Sequence, residues 1–234
     1  MNTTSKRLAL TFALLAVLFA TCYGGAATTT FNDIARGSYV DAGIFGTGGA
    51  GTSDGNYLTG LYSGGGYTEY RSFFSFDLTG LTGTVTSATF SVDFGPPAFG
   101  SGSSPVFFNL VAYAGDINAL NAGTAGVAGF GLLGGPGVFL GGAYANTSDT
   151  GVVTYTITPA GLAAIQAAEG GQFAIGGSLT GFLGTDDFLF GNSIFTSLNP
   201  LVVTTSPVPE PSTLMLLAPG ALGVAGWIRR KLRA

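Results

Sequence analysis

Histidine is absent from all 234 residues, which removes Ser-His-Asp triads, Cys-His pairs and ordinary zinc sites. Cysteine occurs once, at Cys22, so the chain cannot close a disulfide on itself. Tryptophan also occurs once, at Trp227. Charge is scarce: Asp, Glu, Lys and Arg together make up 9% of the chain, so the charged helix formers are thin throughout. Of the 8 basic residues, Lys6, Arg7, Arg229, Arg230, Lys231 and Arg233 lie in the two terminal segments, and only Arg36 and Arg71 lie between. Eleven of the 12 acids fall between Asp33 and Asp187, so two basic against eleven acidic residues leave the interior at a net −9. That balance argues against nucleic acid or an anionic membrane surface as partner.

Glycine fills the space, with 40 residues against a usual share of about 7%. Between Gly-rich turns, short apolar alternations recur, the mark of half-buried strands. The clearest are Phe74, Phe76 and Leu78, then Ala88, Phe90, Val92 and Phe94. Residues 106–113 form a denser apolar run, as expected of a strand buried on both faces. Further strands are expected at 138–144, 153–157, 173–175, 188–190 and 201–203. One helix is expected over 159–168, with Thr158 as N-cap, Pro159 at its first position, and Leu162 and Ile165 on one side. Gly170 and Gly171 end it. Roughly eight or nine strands with one short helix predict an all-β fold, a two-sheet β-sandwich of jelly-roll type.

Chemical motifs are few. Gly46-Thr47-Gly48-Gly49-Ala50-Gly51 spells GxGxxG, but Thr52-Ser53-Asp54-Gly55-Asn56 follows, and no helix begins there to hold a pyrophosphate. Asp186-Asp187 is the one adjacent acid pair. Neighbours on a strand point to opposite faces, so these two would not flank one glycosidic bond. They stand as calcium candidates in a loop before Phe188, against a solvated turn. No nucleophile–base or metal constellation is present, and the expectation is a non-catalytic protein without a cofactor, calcium excepted. Most of the 19 phenylalanines occupy alternating strand positions. Tyr57, Tyr62, Tyr67 and Tyr70 instead cluster around Gly64-Gly65-Gly66 in a loop-like setting. Their amphipathic rings suit ligand contact with a sugar surface or a protein; the alternative is that they cover the end of the sandwich.

The two ends read as addresses. Lys6 and Arg7 precede an apolar stretch from Leu8 to Ala20, and small residues at Gly24-Gly25-Ala26 suggest cleavage after Ala26, making 1–26 a signal peptide. Cys22 raises a lipoprotein alternative, but Phe19-Ala20-Thr21 is a poor setting for lipidation. At the other end, Pro207, Pro209 and Pro211 favour an extended backbone. Ser212 to Ile228 then gives 17 largely apolar residues, about 26 Å as a transmembrane helix and just enough for a bilayer core. Arg229, Arg230, Lys231 and Arg233 would hold the terminus on the cytoplasmic side. Pro219 would kink this helix without preventing it from spanning.

The order Val208-Pro209-Glu210-Pro211-Ser212-Thr213, apolar stretch and Arg-rich end closely resembles the PEP-CTERM sorting signal of Gram-negative bacteria. The resemblance implies that an exosortase reads Pro209-Glu210-Pro211 and removes the membrane helix. An anchor that is never cut is the alternative. The resulting division is a signal peptide at 1–26, a secreted domain at 27–206 and a sorting tail at 207–234. The implied route is export, transient anchoring in the inner membrane through residues 212–228, then the cell surface or extracellular matrix.

A second likeness covers Tyr70-Arg71-Ser72-Phe73-Phe74-Ser75-Phe76-Asp77-Leu78 and Val85-Thr86-Ser87-Ala88-Thr89-Phe90. This stretch is similar to the core of DNRLRE-type secreted jelly rolls, which themselves resemble carbohydrate-binding modules. Arg71 and Asp77 are expected to face each other across strands. Two functions compete. One is a structural or adhesive matrix protein associated with extracellular polysaccharide. The other is a carbohydrate-binding module with a defined, calcium-assisted ligand face.

Overall fold

Alternation along one strand sets the pattern of a whole sheet. The computed structural model describes residues 25–42, 45–46, 57–62, 68–94, 99–100, 106–145, 151–181, 186–190 and 199–207. Residues 1–24 of the expected signal peptide with Cys22, Tyr67, the Gly-rich string beyond Gly46 and the sorting tail from Val208 onward lie outside these residues. Four strands form the smaller sheet, in the order β1 (Ala27–Phe31), β13 (Leu201–Ser206), β6 (Thr84–Phe94), β10 (Gly151–Thr156). On β6, Ala88, Phe90, Val92 and Phe94 are buried while Thr89, Ser91 and Asp93 between them reach solvent. Leu201 and Val203 on β13 and Tyr155 on β10 continue that inward face. One face is core and one is water, the usual state of an antiparallel sheet.

The larger sheet holds β2 (Asp33–Val40), β3 (Phe45–Gly46), β4 (Leu58–Tyr62), β5 (Thr68–Asp77), β7 (Phe99–Gly100), β8 (Val106–Ala112), β9 (Phe139–Ala145), β11 (Gln172–Thr180) and β12 (Asp187–Phe190). Its main path runs β7-β12-β4-β5-β11-β8-β9, with β2 pairing β5 and β3. Its inner face meets the smaller sheet in one core: Phe74 and Phe76 on β5, Phe108 and Leu110 on β8 and Ile175 on β11 pack with Phe90, Phe94 and Val203. Phe74 sits 5.0 Å from Phe90 and 4.8 Å from Tyr57, centroid to centroid. The architecture is the expected two-sheet β-sandwich, and residues 28–205 make up its compact unit. All five strands expected beyond residue 137 are present.

The expected helix is there as α3 (Pro159–Ala167). Thr158 caps it by accepting from the Gly161 amide at 3.2 Å, and Ile165 is buried against the core. Two further helices were not anticipated: α1 (Ile117–Asn121) and α2 (Gly126–Leu133). They give the large sheet a second buried face. Tyr39 on β2, Phe73 on β5 and Ala174 on β11 pack there beneath Leu120, Phe130 and Leu133. The doublet Phe73-Phe74 thereby serves two cores, because successive side chains leave a strand on opposite faces. The Tyr39 hydroxyl fastens both helices, donating to the Leu120 carbonyl at 2.9 Å and accepting from the Ala125 amide at 3.3 Å. Asp116 caps α1 by accepting from Asn118 and Ala119 amides at 2.9 and 3.2 Å.

Arg71 and Asp77 do not pair. Both belong to β5 itself, and each has its own work. Arg71 donates to Glu69 at 2.9 Å and to the Phe130 carbonyl at 3.1 Å, with its guanidinium carbon 4.2 Å from the Phe130 ring centroid. Asp77 accepts from the Thr79 amide at 3.0 Å and shapes the turn after the strand.

Candidate functional site

A polar seam runs between the sheets. Asp33 and Arg36 on β2 form a buried ion pair at 3.1 Å. Asn199 completes the carboxylate's shell, donating its backbone N–H at 3.0 Å and its side-chain amide at 3.2 Å. The Asn199 side-chain Oδ1 then accepts from the Asp93 backbone N–H at 3.2 Å. Tyr57 enters the same region and donates its hydroxyl to the Asp93 carbonyl. Buried polar groups are tolerable when all are satisfied, and this cluster joins β2, β6 and the lead into β13 into one unit.

Burial raises the Tyr57 phenol well above its ordinary value, with the nearby Asp93 charge adding to the rise. Burial likewise raises Tyr39, Tyr70 and Tyr113. In the unfolded chain these phenols ionise near pH 10. Above that, the unfolded state has lost protons that the folded state still holds. Stability is therefore full below about pH 10 and falls as pH climbs through the raised folded values. We expect urea midpoints to drop as pH rises above about 10. Tyr57→Phe should weaken the protein at pH 7 by about 1–3 kcal/mol, through the orphaned Asp93 carbonyl, and flatten the alkaline decline. An unchanged alkaline slope in that variant would refute the assignment.

Of the four tyrosines expected to meet a ligand, Tyr67 lies outside the described residues, and Tyr57, Tyr62 and Tyr70 do not form a surface cluster. On either side of residues 63–67, β4 and β5 pair antiparallel, with Leu61 opposite Glu69 and Tyr62 opposite Thr68. Tyr57 is 2% exposed and belongs to the main core, and Tyr70 is 6% exposed and packs with Val40 and Leu58. Both are removed from the ligand-contact set because their rings cannot reach solvent. Tyr62 is 37% exposed and stands edge-on to Phe188 at 5.1 Å.

The Asp186-Asp187 pair divides between environments, as neighbours on a strand do. Asp187 is buried at the head of β12, opposite Leu61, and Asp186 is partly exposed. Among the described residues no three His, Cys, Asp or Glu side chains gather closely enough to hold a metal ion. Also among these residues, no helix is long and apolar enough to cross a membrane.

A second aromatic pair with one exposed ring is not legible in the sequence. Phe107 on β8 and Tyr144 on β9 face each other across the strands, with centroids 5.1 Å apart and planes at 76°. Tyr144 is 67% exposed. The only advance signal was an aromatic at an outward strand position, which many cores also show.

Residues 207–231 match the family model of the PEP-CTERM protein-sorting motif. No curated protein matches the chain.

Proposed function

We propose, for a chain carrying a PEP-CTERM sorting motif at residues 207–231, that the domain at 27–206 is a non-catalytic surface or matrix protein with a structural or adhesive role among extracellular polysaccharide. The motif carries this reading. It is a signal for export and exosortase processing, with membrane anchoring as the intermediate step. The described fold is compatible, since its last strand ends at Ser206, directly before the motif. A β-sandwich of jelly-roll type with a net −9 and no disulfide suits a soluble component outside the cell. The test is to express the chain with Glu210→Ala in an exosortase-bearing host. The variant should stay in the membrane fraction at higher mass, while the parent is shortened and released. Equal mass and equal location for both would overturn processing and favour a permanent anchor.

The second reading, a carbohydrate-binding module with a defined face, is favoured by the exposed Tyr144 stacked edge-on against the half-buried Phe107. Calcium assistance through Asp186 belongs to this reading. A rise in melting temperature with calcium and none with magnesium would support it.

A further inference from the structure

Among the described residues, the outer face of the large sheet is covered in part. Helices α1 and α2 close it over Tyr39, Phe73 and Ala174. Beyond Leu133, Gly134 still lies against Ser178 and Gly137 against Val111; among the described residues the face then continues across the ends of β11, β8 and β9. Thr180, Phe107 and Tyr144 lie in one row there, since Thr180 pairs with Phe107 and Phe107 with Tyr144. Asn109 lies one step along the same face of β8, paired with Ser178 and Gly142. Its side-chain amide donates to the Thr180 hydroxyl at 3.1 Å, at the surface. Gly142 keeps the row open. A Cβ at that position would come within 2.7 Å of a Phe107 ring carbon, so the ring leans across the strand where another residue would block it.

We propose that this face, built from Phe107, Tyr144, Asn109 and Thr180, binds an uncharged polysaccharide; the proposal rests on the polysaccharide-associated reading above. Aromatic rings offer broad apolar faces to the C–H faces of a pyranose. An amide and a hydroxyl beside them supply donors and acceptors for the sugar hydroxyls. The charge pattern selects the occupant. Of the domain's two cations, Arg36 is buried with Asp33, and Arg71 is engaged by Glu69 and α2. With a net −9 over the region between the terminal signals, a polyanionic glycan or nucleic acid would be repelled. A neutral chain meets no such barrier, and its extended strand matches an open row across three β-strands. Tyr144 is mostly exposed, so its removal leaves the core untouched.

The experiment is co-sedimentation of the exported protein with insoluble neutral glucan, with neutral xylan and with acidic alginate. The unsubstituted protein should bind at least one neutral polymer saturably and leave alginate unbound. Tyr144→Ala should weaken that binding at least tenfold at an unchanged melting temperature, and Tyr62→Ala should leave it intact. Binding that survives Tyr144→Ala and Phe107→Ala, or that is lost only with Tyr62→Ala, would overturn this face while leaving a polysaccharide role standing. Preference for alginate would overturn the neutral occupant. No binding to any polymer by the unsubstituted protein would overturn both this face and the polysaccharide-associated reading.

Discussion

Arg36→Ala is expected to cost about 3–5 kcal/mol of stability, the usual result of leaving a buried charge without its partner. The Asp33 carboxylate would keep two donors from Asn199 but lose the cation that balances it. The pair is sealed, with side chains 4% and 1% exposed, so little water can replace the guanidinium. Equilibrium urea unfolding at neutral pH measures the loss. The double variant Asp33→Asn with Arg36→Met should recover much of it, because removing both charges also removes the desolvation that each imposes. A single-variant loss below about 1 kcal/mol would show that the pair behaves like a surface ion pair. The effect should also be specific: strands β1 and β2 should lose hydrogen-exchange protection first, since Asp33 opens β2 and anchors Asn199 beside β13.

Gly176→Val is the second large effect. Gly176 lies on β11 between Phe73 on β5 and Val111 on β8, on the face covered by α2. An added Cβ would approach the Leu133 carbonyl oxygen to 2.6 Å and its Cα to 2.8 Å. These are backbone atoms, and they cannot rotate away. Overpacking of this kind costs about 1–3 kcal/mol when the surroundings can shift. Here the natural relief is for α2 to lift from the sheet, which would expose Phe73 and Tyr39. We expect lowered stability together with new binding of a hydrophobic dye. Gly170→Val serves as the comparison on the backbone side: its φ is +76° and no atom crowds its Cβ, so its cost should come from strain alone. A Gly176→Val protein as stable as the parent would mean the helical cover is not tightly seated.

The two sheets were unequally legible. Strands β6, β10 and β13 of the smaller sheet declare themselves, since one face is wet and the sequence alternates, as in Ala88, Phe90, Val92 and Phe94, whereas β1, Thr-rich and at the sheet's edge, carries no such signal. Helix α3 was legible for a similar reason: Thr158-Pro159 marks its start chemically. Strand β11 was only partly read. All of 173–179 is buried, but Gly176 and Gly177 carry no apolar signal. They are small because Leu133 presses on one face and Phe108 on the other. The helical cover was hidden by composition. Its longer helix holds Gly126, Gly129 and Gly131, lacks charged residues, and has no side-chain cap. The cap at Asp116 was the one available clue. Tyr57 and Tyr70 mislead because Gly-rich surroundings do not report side-chain burial: Tyr57, just before β4, packs in the main core, and Tyr70 on β5 packs with Val40 and Leu58. The sorting tail was readable because a processing enzyme reads linear sequence. A ligand face assembled from β8, β9 and β11 has no linear form to read.

The placement of β13 has a consequence for timing. It is an inner strand of its sheet, between β1 and β6, and its residues meet the far end of the domain: Thr204 bonds Thr28 across 176 positions. Contacts so distant in sequence form slowly, because the intervening chain must first be gathered. Ribosomes deliver Ser206 only just before the sorting motif itself. Until then β1 has no neighbour on that side, and Asp33 lacks Asn199. The sandwich can therefore close only after nearly the whole domain has been synthesised.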